Sequence, residues 1–230
     1  ESESESESES ESESESDEMI GNTIMYAFLS PVLMFSIVML ERFFYSNVEG
    51  SLGLIKLLET AAMSVSFLLE VLFMNKFIAQ LGAANYKPEK IMSLLKSQFL
   101  KAAFLGIILM SIITLSIIGL FEYGAFPFKI SAELNEYFLA LSFLYLVYFL
   151  VVICRDYIER FYFSINKPKP VVSANFVLLM LTLLFNWLFL AYAPISIAVI
   201  SILLMGFKVA YLVLGAKTYV NNSEVRGDYV

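Results

Sequence analysis

The chain has 230 residues, 59% of them hydrophobic and only 16% charged, with a formal net charge of −7. It has no His and a single Cys, Cys154. That excludes a Ser-His-Asp triad, a Cys-His pair, histidine metal sites, an intrachain disulfide and a thiolate zinc cluster. A soluble domain is usually ~45–50% apolar and ~25% charged, so this composition points toward lipid.

The charge is unevenly spread. Residues 1–18 are eight Glu-Ser repeats followed by Asp17 and Glu18, with 10 acids and no base. The other 212 residues carry 15 bases and 12 acids, a net +3. The tail has no apolar residue to bury and a dense like charge, which predicts disorder. It reads either as an acidic interaction tail or as a low-complexity appendage, with Met19 as the natural start.

A helix needs ~20 mainly apolar residues to cross ~30 Å of hydrocarbon, and six segments qualify. The first is Met19–Leu40, without a charge and with Pro31 inside it. It is too long for the apolar core of a signal peptide, and its flank is acidic. The second is Leu52–Ile78, broken by Lys56, Glu59, Glu70 and Lys76. The third is Ala102–Phe121, the fourth Tyr137–Cys154, the fifth Val171–Ala193 and the sixth Ile195–Ala216, which is interrupted by Lys208. Runs such as Ile107–Ile118 lack the alternation of a membrane barrel. The expectation is an all-α polytopic bundle over residues 19–220, with a short cytoplasmic tail at 221–230.

Ahead of the third span, Asn85–Lys101 is amphipathic, with Ile91, Leu94, Leu95 and Phe99 among Lys87, Lys90, Lys96 and Lys101. It suits either a helix on the anionic inner surface or a plain extension of the third span. Eleven Lys and Arg flank or follow the even-numbered spans, against Lys129 and Arg42 on the opposite side. By the positive-inside rule, both termini face the cytoplasm.

Ionisable groups within spans cost ~2.5–3.5 kcal/mol or more and are functional candidates by default. At ~100° per residue, Glu59, Ser66 and Glu70 lie within roughly 20° of one helical stripe, and Lys56 within about 60°. Such a stripe faces a wet cavity or a partner helix. Lys56 and Glu59 also read as an interfacial pair. Glu70 reads as a cation or proton site, or as the counter-charge of Lys208. Glu41-Arg42 ends the first span, within reach of headgroups. Thr182 and Asn186, spaced i,i+4, either bond across a helix interface or ligate a small cation. No nucleotide loop, zinc motif or paired catalytic carboxylates appear, so no enzyme, cofactor or nucleic-acid partner is expected.

Several strings taken in order resemble the MurJ/MviN family of lipid II flippases, part of the MOP exporter superfamily. They are RFFYSNVEGSLG after the first span, FEYGAFP after the third, and ERFYFSINKPKPVVSANFVLLMLTLLFNWL across the fourth and fifth. The Arg160, Phe161, Tyr162, Asn166, Lys169 and Pro170 pattern is the most telling. The resemblance covers about residues 23–220.

It implies a second six-helix lobe of a MOP-type transporter, working by alternating access in a bacterial inner membrane, with a complementary first lobe on another chain. The implied cargo is an undecaprenyl-pyrophosphate-linked sugar, lipid II or a polysaccharide unit. The family's cavity Arg is replaced, by Thr60 or by Lys56 depending on alignment. Lys56 and Lys208 become the candidate cations for the pyrophosphate, and Glu41, Glu59 and Glu70 the coupling acids. A sodium site would fall on Glu41, Thr182 and Asn186. The other readings are a structural or interaction subunit or a non-transporting fragment, and a multidrug cation exporter lobe.

Overall fold

The computed structural model describes residues 2–46, 51–74, 77, 80, 88–124, 132–189 and 194–226. Lys76 and the connections at 47–50, 81–87 and 125–131 lie outside them. Among the described residues the only regular structure is helical. The order is α1 (Ser2–Tyr45), α2 (Ser51–Leu69), a π-helical turn (Glu70–Met74), α3 (Pro88–Glu122), α4 (Ala132–Ser164), α5 (Lys169–Leu188) and α6 (Pro194–Arg226).

Five of these are long and apolar enough to cross a membrane: Ile24–Tyr45, Pro88–Glu122, Glu136–Ser164, Lys169–Leu188 and Ile195–Asn221. The rows of exposed large hydrophobics, such as Phe28, Phe35, Phe104, Phe143, Trp187 and Phe207, suit helices solvated by lipid, where helix contacts rest on close packing and polar bonds.

Three expectations change. The backbone of α1 is helical from Ser2, so the Glu-Ser tract and the first apolar segment form one continuous helix. The basic amphipathic segment from Pro88 is continuous with the third span, so the extension reading holds. The fourth helix does not stop at Cys154 but runs ten residues further, to Ser164.

The end of α4 shows how sequence sets the turn. Asn166 takes the left-handed conformation, with φ 56°, which Asn tolerates better than most residues. Lys167 N–H then donates to the Tyr162 carbonyl at 2.9 Å and Asn166 N–H to Phe163 at 3.1 Å. This is a Schellman closure. Pro168 caps the next helix and Pro170 sits in its first turn, where a missing N–H costs nothing.

Helices α2, α3 and α4 pack as one layer and α1, α5 and α6 as another, joined chiefly by α4 against α6. Side-chain contacts fix the directions. Tyr145 and Tyr148 face Ala198 and Ser201, and Tyr162 donates to the Leu212 carbonyl at 2.8 Å, so α4 and α6 run parallel. Ser66 and Glu70 meet Asp156 and Arg160, so α2 runs parallel to α4. Glu41 faces Ser201 while Met34 meets Lys208, so α1 runs antiparallel to α6. An alternating up-down bundle requires these directions.

Gly215 admits the α4–α6 contact, because a Cβ there would stand 2.6 Å from Tyr162 Oη. Gly215→Ala is expected to lower the stability of the detergent-purified chain by about 1–3 kcal/mol, read by thermal unfolding. Adding Tyr162→Phe should recover most of the loss, and Gly206→Ala, which meets nothing within 4 Å, should be neutral or mildly stabilising.

Candidate functional site

Polar side chains gather at two heights in the bundle. The first lies near the end of α1. Glu41 is 6% exposed and lines a void of ≈ 10 Å³ with Tyr145, Tyr148, Ala198 and Ser201, about the space one water needs. Glu41 therefore turns inward rather than toward headgroups. Its neighbour Arg42 turns the other way and donates to Glu59 Oε2 at 3.0 Å. Glu59 is thus paired across to α1, and the expected Lys56–Glu59 partnership is replaced.

Thr182 and Asn186 on α5 are fully buried. Helix α5 packs against α1 and α6, and the Asn175–Ser30 hydrogen bond of 2.8 Å sets its register. From that bond, Glu41 and Asn186 each lie eleven residues further along parallel helices. The two therefore sit at one height, with Thr182 one turn away. The Asn186 side-chain N–H donates to the Thr182 carbonyl at 2.9 Å. That leaves Asn186 Oδ1 and Thr182 Oγ1 buried without a hydrogen-bond partner among the described residues, whereas buried polar atoms are normally satisfied. The Ser201 hydroxyl lies against the Glu41 carboxylate, and that pair offers oxygen ligands and one negative charge of the kind a small hard cation such as sodium takes. Sequence reasoning did not single out Ser201; its only signal is a hydroxyl in an apolar run.

The second cluster lines a half-enclosed cavity of ≈ 530 Å³ between α1, α2 and α4. Its charged wall comes from the extension of α4, where Arg155, Asp156, Glu159 and Arg160 fall on one helical turn and a half. Arg155 Nε donates to Asp156 Oδ1 at 2.9 Å and lies 3.9 Å from Glu159 Oε1. Arg160 pairs with Glu70 at the start of the π-helical turn. Lys208, 4% exposed, reaches across from α6 to Glu159, with Met34 Sδ at 3.6 Å. Ser66 Oγ donates to Asp156 Oδ2 at 3.4 Å.

The counter-charge of Lys208 is therefore Glu159, not Glu70. The sequence reading placed Arg155 and Arg160 in a loop and gave Asp156 and Glu159 no role. The signal was present in the R-D-Y-I-E-R spacing, which puts acids and bases at i and i+4. Lys56 and Thr60 lie outside this cavity. Both are exposed, and Thr60 Oγ1 donates to the Lys56 carbonyl at 2.6 Å. Among the proposed stripe, Glu59, Ser66 and Glu70 face α1 and α4, and Lys56 does not.

Three acids and three bases make the network neutral: Glu70, Asp156 and Glu159 against Arg155, Arg160 and Lys208. Burial requires this of Arg155, Glu159 and Lys208, since an uncompensated buried charge costs several kcal/mol, whereas Glu70 and Arg160 pair at the exposed rim. Comparisons with family models, with curated proteins and with solved structures find no match to the chain.

Lys208→Ala leaves Glu159 with only Arg155 at 3.9 Å, a guanidinium that Asp156 already engages, and is expected to destabilise the purified chain by about 3 kcal/mol. The double variant Lys208→Met/Glu159→Gln removes both charges together and should restore most of that loss in the same thermal unfolding assay.

Proposed function

We propose that the chain is a cation-coupled lobe of a membrane transporter of the MOP exporter type. The observation that carries this reading is the buried Glu41 carboxylate of α1 beside Ser201 of α6, with the buried polar pair Thr182 and Asn186 on the neighbouring helix α5. A transporter uses such a cluster to bind a monovalent cation and bias one arrangement of its helices.

The finer reading has α2 as a sixth span. Helix α2 and its π-turn cover 24 residues, from 19 and 5, or roughly 36 Å at ~1.5 Å per residue. The excess of bases after the even spans supports both termini on the cytoplasmic side, and the MurJ/MviN resemblance supports a bacterial inner membrane. Similarity to MurJ/MviN strings supports an undecaprenyl-pyrophosphate-linked sugar, lipid II or a polysaccharide unit, as cargo, carried together with a first lobe on another chain. Lys56 and Thr60, exposed on α2, would face that partner and the cargo.

A multidrug cation exporter lobe is the second reading. Three carboxylates line the inner cavity against two guanidiniums, and Lys208 stands behind them. That lining is kinder to a cationic cargo than to an anionic one.

Two measurements test the proposal. Sodium chloride is expected to raise the melting temperature of the purified chain above that in choline chloride of equal ionic strength, through preferential binding to the folded state. Glu41→Gln should abolish the difference; an identical response in that variant removes Glu41 from the site.

For cargo, the chain isolated from its native membrane is expected to co-purify with a second multi-span chain. The reconstituted pair should move a fluorescent undecaprenyl-pyrophosphate sugar across vesicles in a sodium-dependent way. Movement of an organic cation instead selects the second reading, and movement of neither overturns transport.

A further inference from the structure

We infer that the cavity between α1, α2 and α4 is a binding site for a zwitterionic ethanolamine-phosphate headgroup, a ligand separate from the transported cargo. The inference is independent of the transport reading, because it rests on the cavity's own chemistry. At ≈ 530 Å³ the space falls within the ~300–1,000 Å³ range of small-molecule sites.

The charges that line it are mixed. Glu70, Asp156 and Glu159 stand among Arg155 and Arg160, with the Lys208 ammonium behind Glu159. A multiply anionic ligand entering here meets three carboxylates. A purely cationic one displaces the arginines from their partners and leaves two guanidiniums unpaired. A ligand carrying one ammonium and one phosphate exchanges ion pairs one for one. Its N–H donors replace the guanidinium on Glu70 or Asp156, and its phosphate oxygens accept from Arg155 or Arg160. Guanidinium is the side chain best matched to phosphate, because its fork binds two oxygens at once.

Tyr157 contributes its ring to the same cavity, and its hydroxyl is buried away from it. The rest of the wall is apolar, from Ala27, Pro31 and Met34 on α1 and Leu69, Ile153 and Phe163 opposite. Such a wall suits the glycerol and upper acyl chain of a lipid better than a small hydrophilic zwitterion. Phosphatidylethanolamine meets both demands. A choline headgroup brings the same charge but no N–H donor, and a glycerol headgroup brings no cation at all.

The test is lipid retention by the full chain, purified in detergent and examined by native mass spectrometry. Equimolar phosphatidylethanolamine, phosphatidylcholine and phosphatidylglycerol of identical acyl chains are added. Phosphatidylethanolamine is expected to be retained roughly tenfold better than the other two, a difference of about 1.4 kcal/mol. The double variant Glu70→Gln/Arg160→Gln, which removes a pair rather than one charge, should lose that preference.

The double variant Arg155→Gln/Asp156→Asn, which removes the neighbouring pair, should weaken it several-fold, and serves if the first double variant does not fold. Soluble O-phosphoethanolamine separates the sources. Displacement of the lipid at millimolar concentration assigns the site to the headgroup alone, and retained preference without displacement assigns it to a bilayer lipid. Equal retention of all three lipids, or a preference unchanged in the variants, overturns the inference.

Discussion

One constraint governs the interior of this bundle. Charge placed among apolar helices must be neutralised where it stands, because neither lipid nor hydrocarbon side chains will solvate it. The Lys208–Glu159 pair is the clearest case. Lysine 208 sits in the middle of α6 with apolar neighbours in sequence, and its ammonium is all but inaccessible. It is tolerable only because α4 continues far enough to present Glu159. That one requirement binds α4 to α6, the principal joint between the two layers. The remaining charges on α4 then need partners in turn: Arg155 takes Asp156 and leans on Glu159, and Arg160 reaches to Glu70 on α2.

The two polar levels share helices. On α1, Glu41 and Met34 are seven residues apart, and on α6 so are Ser201 and Lys208. Seven residues make two turns, roughly 10 Å of rise, so each pair lies on one face. The α1–α6 contact therefore runs from the oxygen cluster at one level to the Lys208 ion pair at the other. On the transporter reading, a cation bound at Glu41 would favour one spacing of α1 against α6, and the same two helices would carry that preference to the ionic network. The π-helical turn that begins at Glu70 gives α2 a place to change pitch beside the network. Such turns occur often at functional sites. Coupling of this kind needs an element with two arrangements, not proximity alone.

The sequence made the helical, lipid-compatible character plain, because composition and uninterrupted apolar runs depend on no tertiary detail. It also marked Lys208, Glu41, Thr182 and Asn186 as out of place in apolar helices, for the same reason. Partners were not legible. Lys208 was given two possible fates for lack of the third coordinate, and the positive-inside count swept Arg155 and Arg160 into a loop that is in fact helix. The count weighs bases and ignores acids, so Asp156 and Glu159 were invisible to it. Ser201 could not stand out, since single serines are common in membrane helices. Lys56 was placed on the stripe by angle alone. An offset of about 60° was enough to turn it outward while Glu59 turned in.

The neutrality of the inner network bears directly on what this lobe could carry. Moving a pyrophosphate through a bundle calls for unpaired positive charge along its path, since each phosphate brings about one negative charge or more and loses water on entry. Inside this lobe every described guanidinium and ammonium at the network already has a carboxylate, and breaking those pairs would expose three acids to an anion. A lobe so balanced cannot by itself form an attractive chamber for such a cargo. If the cargo is a lipid pyrophosphate, the attraction must come from a surface shared with a second lobe. On the proposed reading, Lys56 is the exposed base on α2 that would contribute to it. The charge of the facing lobe, more than any residue of this one, therefore decides between the two transport readings.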